Sequence, residues 1–221
     1  MNLRCVTPRG LVEFDATELL ARAAGYAFVH LDAGTGDAMF PYRLARSAPD
    51  TLCLALDPVA DNMKKVASRL GRKPARGGVE NLVLLIGGLE YWPPALFGLV
   101  GRLTINFPWG ALLRGVAEAR PEIMRPAAAL LTPGGEFDIL LNMQVFGDDP
   151  LRERLDLPSL TEEFVDERLR ERYAAFGLEI TDRRLIGDEP LPARTTWGGR
   201  LTRGSRRATL RIQGHRRDEN D

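Results

Sequence analysis

Nine residues constrain this chain more than any others: Val29-His30-Leu31-Asp32-Ala33-Gly34-Thr35-Gly36-Asp37, an apolar run that ends in an acid and opens into two closely spaced glycines. Such a run reads as a buried strand turning at its carboxyl end into a ligand loop, because only glycine lets a backbone turn that tightly and come that close to a bound molecule. Open α/β sheets bind their ligands at this end of the strands. The next apolar run, Leu52-Cys53-Leu54-Ala55-Leu56, ends in Asp57. It lies about 20 residues further on, the spacing at which a nucleotide-binding βαβ unit presents a carboxylate to ribose hydroxyls.

Two features argue against a nicotinamide or flavin site. The dinucleotide fingerprint carries a third glycine that lets the helix close on a pyrophosphate, and position 39 here is Met. An acid at the strand tip, Asp32, repels a pyrophosphate and suits a cation or an amino group. Asp32, Gly34, Gly36 and Asp37 followed by Asp57 therefore resemble the S-adenosylmethionine site of class I methyltransferases.

The rest of the chain supplies the elements such a fold needs. Arg4 to Val6 and Leu11 to Phe14, around Pro8-Arg9-Gly10, predict a hairpin ahead of the main fold. Asp15 with Glu18 three residues later has capping-box spacing and starts a helix. Strands are expected at Ala27 to Leu31, Leu52 to Leu56, Asn81 to Ile86, Leu103 to Ile105 and Glu136 to Met143, the last after a turn at Pro133-Gly134-Gly135. Helices are expected at Ala38 to Ala48, Val59 to Leu70 and as a pair ending at Leu131. Alternation of strand and helix with Gly or Pro at the junctions indicates right-handed crossovers and a mostly parallel sheet. Residues 144–160 read as a long polar insertion, Thr161 to Phe176 as an amphipathic helix, Leu178 to Leu185 as a strand, and Arg206 to Ile212 as a final antiparallel strand. The connection from 187 to 205 is long and structureless, which inside a compact domain usually signals function. The expected architecture is one α/β domain over residues 1–221: a Rossmann-like, seven-stranded, mostly parallel sheet with an antiparallel last strand and an N-terminal β-hairpin extension over 1–14.

With 221 residues, the chain can bury a sizeable core as one unit. Hydrophobic content of 44% and charged content of 27% are those of an ordinary globular protein. No long apolar run and no charged leader mark a membrane span or secretory signal, so a cytoplasmic location is expected. Cys5 and Cys53 read as two buried thiols. There is no metal-ligand cluster and no Ser, Cys or His constellation for nucleophilic catalysis; His30 reads as a core residue within its strand, and His215 as lying near the tail.

Net charge is zero, yet its distribution is uneven. Lys64, Lys65, Arg69, Arg72, Lys73 and Arg76 face the single acid Asp61 over residues 61–78, and Arg194, Arg200, Arg203, Arg206, Arg207, Arg211, Arg216 and Arg217 face none over 194–217. Residues 148–189 are acid-rich in compensation. Basic patches of this density neutralise phosphates and give salt-dependent RNA binding; the alternative is a solvated charged surface. Asn106-Phe107-Pro108-Trp109 follows the fourth strand, where Pro108 fixes the backbone beside an aromatic face. Such a surface suits a flipped base, which must be gripped by stacking, and Trp197 on the long connection is placed to cover its other side. Trp92, before Pro93-Pro94, reads as structural.

Asp32-Ala33-Gly34-Thr35-Gly36-Asp37, Leu56-Asp57-Pro58-Val59, Lys73-Pro74-Ala75-Arg76-Gly77-Gly78, Phe107-Pro108-Trp109-Gly110 and Trp197-Gly198-Gly199-Arg200-Leu201, followed by Arg211-Ile212-Gln213-Gly214-His215, resemble the Kam and Npm aminoglycoside-resistance methyltransferases. That family methylates N1 of adenine 1408 in 16S rRNA of the 30S subunit. The resemblance implies that Asp32, Gly34, Gly36, Asp37, Asp57, Leu89, Glu90, Asn106, Phe107, Pro108, Thr195 and Thr196 hold S-adenosylmethionine, and that Trp109 and Trp197 sandwich the target adenine. It further implies that Arg69, Arg72, Lys73, Arg76, Arg154, Arg200, Arg203, Arg206 and Arg207 meet RNA. The insertions 144–160 and 187–205 then face the RNA, and the chain acts as a monomer without metal. The chain departs from the family in its zero net charge and in having Ser205 where an Arg is expected. Two alternatives stand beside this reading: adenine-N6 methylation, since Asn106-Phe107-Pro108-Trp109 partly resembles the Asn-Pro-Pro-aromatic motif, and an RNA-binding methyltransferase fold without catalysis.

Overall fold

The computed structural model describes residues 3–187, 189–191 and 208–218. Among the described residues nine strands form one sheet: β1 Leu3–Thr7, β2 Gly10–Phe14, β3 Phe28–Ala33, β4 Thr51–Asp57, β5 Leu82–Ile86, β6 Val100–Asn106, β7 Leu131–Asn142, β8 Leu178–Ile186 and β9 Thr209–Arg216. Their order is β2-β1-β5-β4-β3-β6-β7-β9-β8. The run β5-β4-β3-β6-β7 is parallel, and β9 enters antiparallel between β7 and β8. This is the expected seven-stranded body. The hairpin does more than precede it, because β1 pairs antiparallel with β5 and lengthens the sheet to nine strands.

Both faces of the central strands are buried. Along β4, Leu52, Leu54 and Leu56 enter the larger core while Cys53 and Ala55 enter the smaller one, the alternation that a pleated strand imposes. The helices α2 Met39–Ser47 and α3 Ala60–Leu70 supply Tyr42, Ala45, Met63, Val66 and Ala67 to the smaller core. The helices α1 Ala16–Ala23, α4 Gly110–Glu118 and α5 Pro121–Leu130 pack on the other face through Leu19, Leu113, Val116, Ile123 and Ala127. The predicted capping box at Asp15 is present: its side chain accepts from Thr17 N at 3.2 Å while Glu18 Oε2 accepts from Asp15 N at 3.0 Å. Both cysteines are buried and free.

Several expectations need correction. The turn predicted at Pro133-Gly134-Gly135 lies inside β7, where two steps along β6 from Val100 to Arg102 match five along β7 from Leu131 to Glu136. The surplus is taken up in an irregularity at which Gly134 adopts φ +69°, so the glycines bend the strand without ending it. The insertion 144–160 is not simply polar: it forms short helices at Gln144–Gly147 and Asp149–Arg154 and buries Val145, Phe146, Leu157 and Leu160. The amphipathic helix over 162–174 widens into a π-turn at Val165–Leu169, while Val165, Leu169 and Tyr173 keep a buried stripe and the Tyr173 hydroxyl donates to Val116 O at 2.9 Å. Finally, β9 begins at Thr209 and runs to Arg216, so His215, near the tail as expected, is a strand residue paired with Glu136 and Glu179.

Part of the acid-rich stretch is paired within the fold. Asp149 pairs with Arg152, Asp156 with Arg114 and Arg120, Asp166 with Arg170 and Arg183, and Glu189 with Arg184. The Arg183 guanidinium beside Asp166 holds that carboxyl well below the usual range, down to about 2.

Candidate active site

The carboxyl ends of β3, β4, β5 and β6 meet around a cavity of about 720 Å³. The end of β3 and its loop contribute Asp32, Gly34, Thr35, Gly36 and Asp37; the end of β4 and the start of α3 contribute Asp57, Val59 and Asn62; and Leu89 and Glu90 line the wall beyond β5. Asn106, Phe107, Pro108 and Trp109 close the side beyond β6, with Leu112 and Ile123 from the helices behind it. The described lining holds four acids and no Lys or Arg. A site of this charge favours a cationic ligand and leaves a phosphate without a partner.

Gly34 and Gly36 adopt φ +69° and +58°, a left-handed geometry that side-chain-bearing residues enter only at a cost. At Gly34 a Cβ would also lie 2.6 Å from Leu112 Cδ2. The loop is drawn onto β4 by three bonds: Gly34 N and Thr35 N donate to Leu56 O at 2.8 and 3.0 Å, and Gly36 N donates to Asp57 Oδ2 at 2.8 Å. The other Asp57 oxygen accepts from Val59 N at 2.9 Å and Asn62 Nδ2 at 3.3 Å. Asp57 therefore ties the two ligand loops together besides facing the cavity.

Asp32 is 1% exposed and accepts three hydrogen bonds: from Thr35 Oγ1 at 2.6 Å, Thr104 Oγ1 at 2.7 Å and Asn106 Nδ2 at 2.8 Å. Burial pushes its carboxyl up to about 6; the three donors pull it down, and the Asp57 charge adds to the rise. Without those donors an isolated buried carboxylate would be held neutral. Behind it, His30 Nε2 lies 3.0 Å from Thr104 Oγ1, and burial, with Arg102 nearby, lowers the imidazole to about 4. His30 is the buried strand residue the sequence suggested.

Beyond β6, Phe107 takes φ +53° and Gly110 φ +58°. Strain at a non-glycine residue persists only where the surroundings enforce it. Here Phe107 N donates to Leu140 O at 2.8 Å, and the ring is buried among Phe40, Leu140, Ile186 and Leu191. The contorted backbone presents Trp109, 53% exposed, at the cavity. Trp92, by contrast, is buried with its indole N–H donating to Leu96 O at 3.3 Å.

On the outer surface Arg72, Lys73 and Arg76 are exposed on the loop that follows α3, which makes a single 3-10 turn at Pro74–Arg76. Arg69 is half-buried, with its guanidinium 5.1 Å over the Tyr42 ring. Arg154 is exposed on its short helix. The expectations for Thr195, Thr196, Trp197, Arg200, Arg203, Arg206 and Arg207 lie outside the described residues. Thr104, Asn62, Leu112 and Ile123 escaped the sequence reading. Thr104 sits on the strand before the motif, where period-two alternation from Asn106 places it on the same face.

The family model described as 16S rRNA (adenine(1408)-N(1))-methyltransferase, NpmA, matches residues 4–216. A protein of that description from Streptoalloteichus hindustanus is 38% identical over 200 residues, covering 90% of this chain and 92% of its own. The crystal structure of a tryptophan-to-alanine mutant of the enzyme from Catenulisporales acidiphilia, with cosubstrate SAM, superposes with a TM-score of 0.89 at 32% identity, covering 99% of both chains. The 16S rRNA methyltransferase KamB superposes with a TM-score of 0.87 at 36% identity, over 97% of this chain and 99% of its own. Fold and site together define a class I S-adenosylmethionine-dependent methyltransferase. Within that class, the chain belongs to the NpmA family of 16S rRNA (adenine(1408)-N(1))-methyltransferases.

Proposed function

We propose that this protein transfers a methyl group from S-adenosylmethionine to N1 of adenine 1408 of 16S rRNA within the 30S subunit, in the cytoplasm and as a monomer, and that the modification confers aminoglycoside resistance. The observation that carries the reading is an acid-lined, cation-favouring cavity with an exposed indole fixed at its rim. The donor fits the residues present: the Asp32 carboxylate for its ammonium, Asp57 for ribose hydroxyls, and Val59, Leu89, Leu112 and Ile123 as apolar walls for the base.

When bound, S-adenosylmethionine supplies a methyl carbon made electrophilic by the adjoining sulfonium. The protein's own contribution is orientation. Asp32 anchors one end of the site, and Asp57 holds the glycine loop against β4 so that the cavity keeps its shape. Trp109 offers a flat face on which an extruded purine stacks, an interaction worth about 1 to 3 kcal/mol per base. The N1 lone pair of neutral adenine is already nucleophilic and carries no proton to remove, so no general base is needed. Proximity and orientation then supply most of the rate, which accords with a cavity whose described lining holds no histidine or cysteine.

On this reading Trp197, Thr195 and Thr196 complete the site from the 187–205 connection, and Arg72, Lys73, Arg76 and Arg154, with Arg69, Arg200, Arg203, Arg206 and Arg207, meet RNA phosphates. Primer extension on 30S subunits incubated with protein and donor tests the proposal, because an N1 methyl blocks Watson-Crick pairing and stops the polymerase. Mass analysis of the nucleoside separates the N1 product, which is cationic, from the N6 product.

A further inference from the structure

The buried polar chain behind the cavity floor is absorbed neither by the donor contacts nor by the RNA surface. His30 is on β3, Thr104 on β6, and the two strands are parallel neighbours in which Asp32 lies opposite Thr104. All three side chains are buried, at 5%, 5% and 1% exposure. Thr104 Oγ1 lies 2.7 Å from Asp32 Oδ1 and 3.0 Å from His30 Nε2, while its next acceptor, Leu31 O, is at 3.5 Å.

The protons in this chain can be counted. A hydroxyl has one hydrogen to give, and an ionised carboxylate only accepts. If Asp32 is ionised, the Thr104 hydrogen goes to Asp32, and the Thr104 oxygen must accept from His30 Nε2–H. If Asp32 is protonated and donates to Thr104 Oγ1, the hydroxyl turns to His30 Nε2, which must then be unprotonated. The state of the carboxylate and the tautomer of the histidine are therefore coupled through one hydroxyl.

We propose that His30 and Thr104 are positioning residues for the methyl-donor site: a directed relay, His30 Nε2–H to Thr104 Oγ–H to Asp32 Oδ1, holds the Asp32 carboxylate ionised and aimed to receive the donor's ammonium. The inference rests on the reading of the cavity given above and extends it to two residues with no place in the cavity lining. Outer partners that fix tautomer and orientation in this way are familiar from metal-bound histidines; here the oriented group is a carboxylate and the ligand an ammonium. Among the described residues the charged and titratable groups around Asp32 are Cys53 and Asp57 on β4, Asp37 on its own loop and Glu90 across the cavity, with Arg102 nearer His30. Burial and the Asp57 charge act against ionisation, which Thr35, Thr104 and Asn106 oppose. Burial, with the Arg102 charge adding to it, keeps the imidazole from becoming cationic, so His30 serves as a neutral donor.

The test is calorimetric titration of the whole protein with S-adenosylmethionine on both sides of pH 6, for the unmutated chain, Thr104→Val and Thr104→Ser. Valine keeps the shape and removes the hydroxyl. It is expected to weaken binding about tenfold near neutrality, the scale of one hydrogen bond to a charged group, and to move the acid-side loss of affinity to higher pH, while serine restores both. In the unmutated complex, the ¹⁵N spectrum is expected to show His30 protonated at Nε2. A valine variant that folds and binds with the affinity and pH profile of the unmutated chain would overturn the relay, as would a His30 protonated only at Nδ1 in the complex. Failure of the unmutated chain to bind the donor would instead overturn the cavity reading, and the relay with it.

Discussion

The cavity and the basic loop after α3 are built in opposite ways. At the cavity each polar group is fixed by others: Asp32 by three donors, Asp57 by Gly36, Val59 and Asn62, Phe107 by a strained backbone and four apolar neighbours. On the loop after α3, Arg72, Lys73 and Arg76 are exposed to solvent, and the Arg72 side chain donates to Ser68 O at 3.1 Å. The difference teaches that geometry is spent where a small molecule must be held for reaction, whereas a phosphate surface needs charge at roughly the right distance and tolerates mobile side chains.

That contrast is open to attack by mutation. Trp109→Ala is expected to have the largest effect, lowering methyl transfer by about a hundredfold with donor affinity nearly unchanged, as single-turnover assays beside calorimetry will show; equal loss of both would place Trp109 in the donor site instead. Asp32→Ala should weaken donor binding by about 10- to 100-fold, read by the same titration. Gly34→Ala forces a left-handed backbone and a 2.6 Å approach to Leu112; it is expected to cost about 2 kcal/mol of stability, measured by thermal or denaturant unfolding. The smallest effect per residue belongs to the surface. Lys73→Ala with Arg76→Ala should weaken RNA binding moderately and reduce the salt slope by about 2, leaving donor binding untouched.

Acidification separates the regions again. With the Asp32 carboxyl pushed up to about 6, donor affinity should fall as pH drops below that value, because the neutral acid no longer pairs with an ammonium. Stability moves the other way at this residue. The fold binds the proton more tightly than the unfolded chain does, so acidification from about 6 toward the usual value of 3.8 favours the folded state of the free protein. The surface arginines keep their charge throughout, so RNA affinity should not follow this titration.

The sequence exposed the parts of the fold that depend on local pattern. Strand periodicity, the glycines at 34 and 36 and the acids at 32 and 57 are all local signals, and they carried the cavity floor. Thr104 and Asn62 were not legible, because each acts through a carboxylate on another element and nothing in its neighbourhood marks it. The Pro133-Gly134-Gly135 misreading has a similar cause: glycine and proline announce a departure from regular backbone, but whether the departure ends a strand or bends it depends on the partner strand's register. The pairing of Asp156 with Arg114 and Arg120 was not legible either, because only the fold brings those positions close. Trp109 was legible through Pro108, although the left-handed Phe107 that aims it was not.

The most direct test of the central claim, that an acid-floored donor cavity and a rim indole serve methylation of a ribosomal adenine, is primer extension on intact 30S subunits after incubation with the protein and S-adenosylmethionine. The account predicts a donor-dependent stop at adenine 1408 that disappears with Trp109→Ala. Full-length extension through that position, under conditions where calorimetry shows the donor bound, would contradict it.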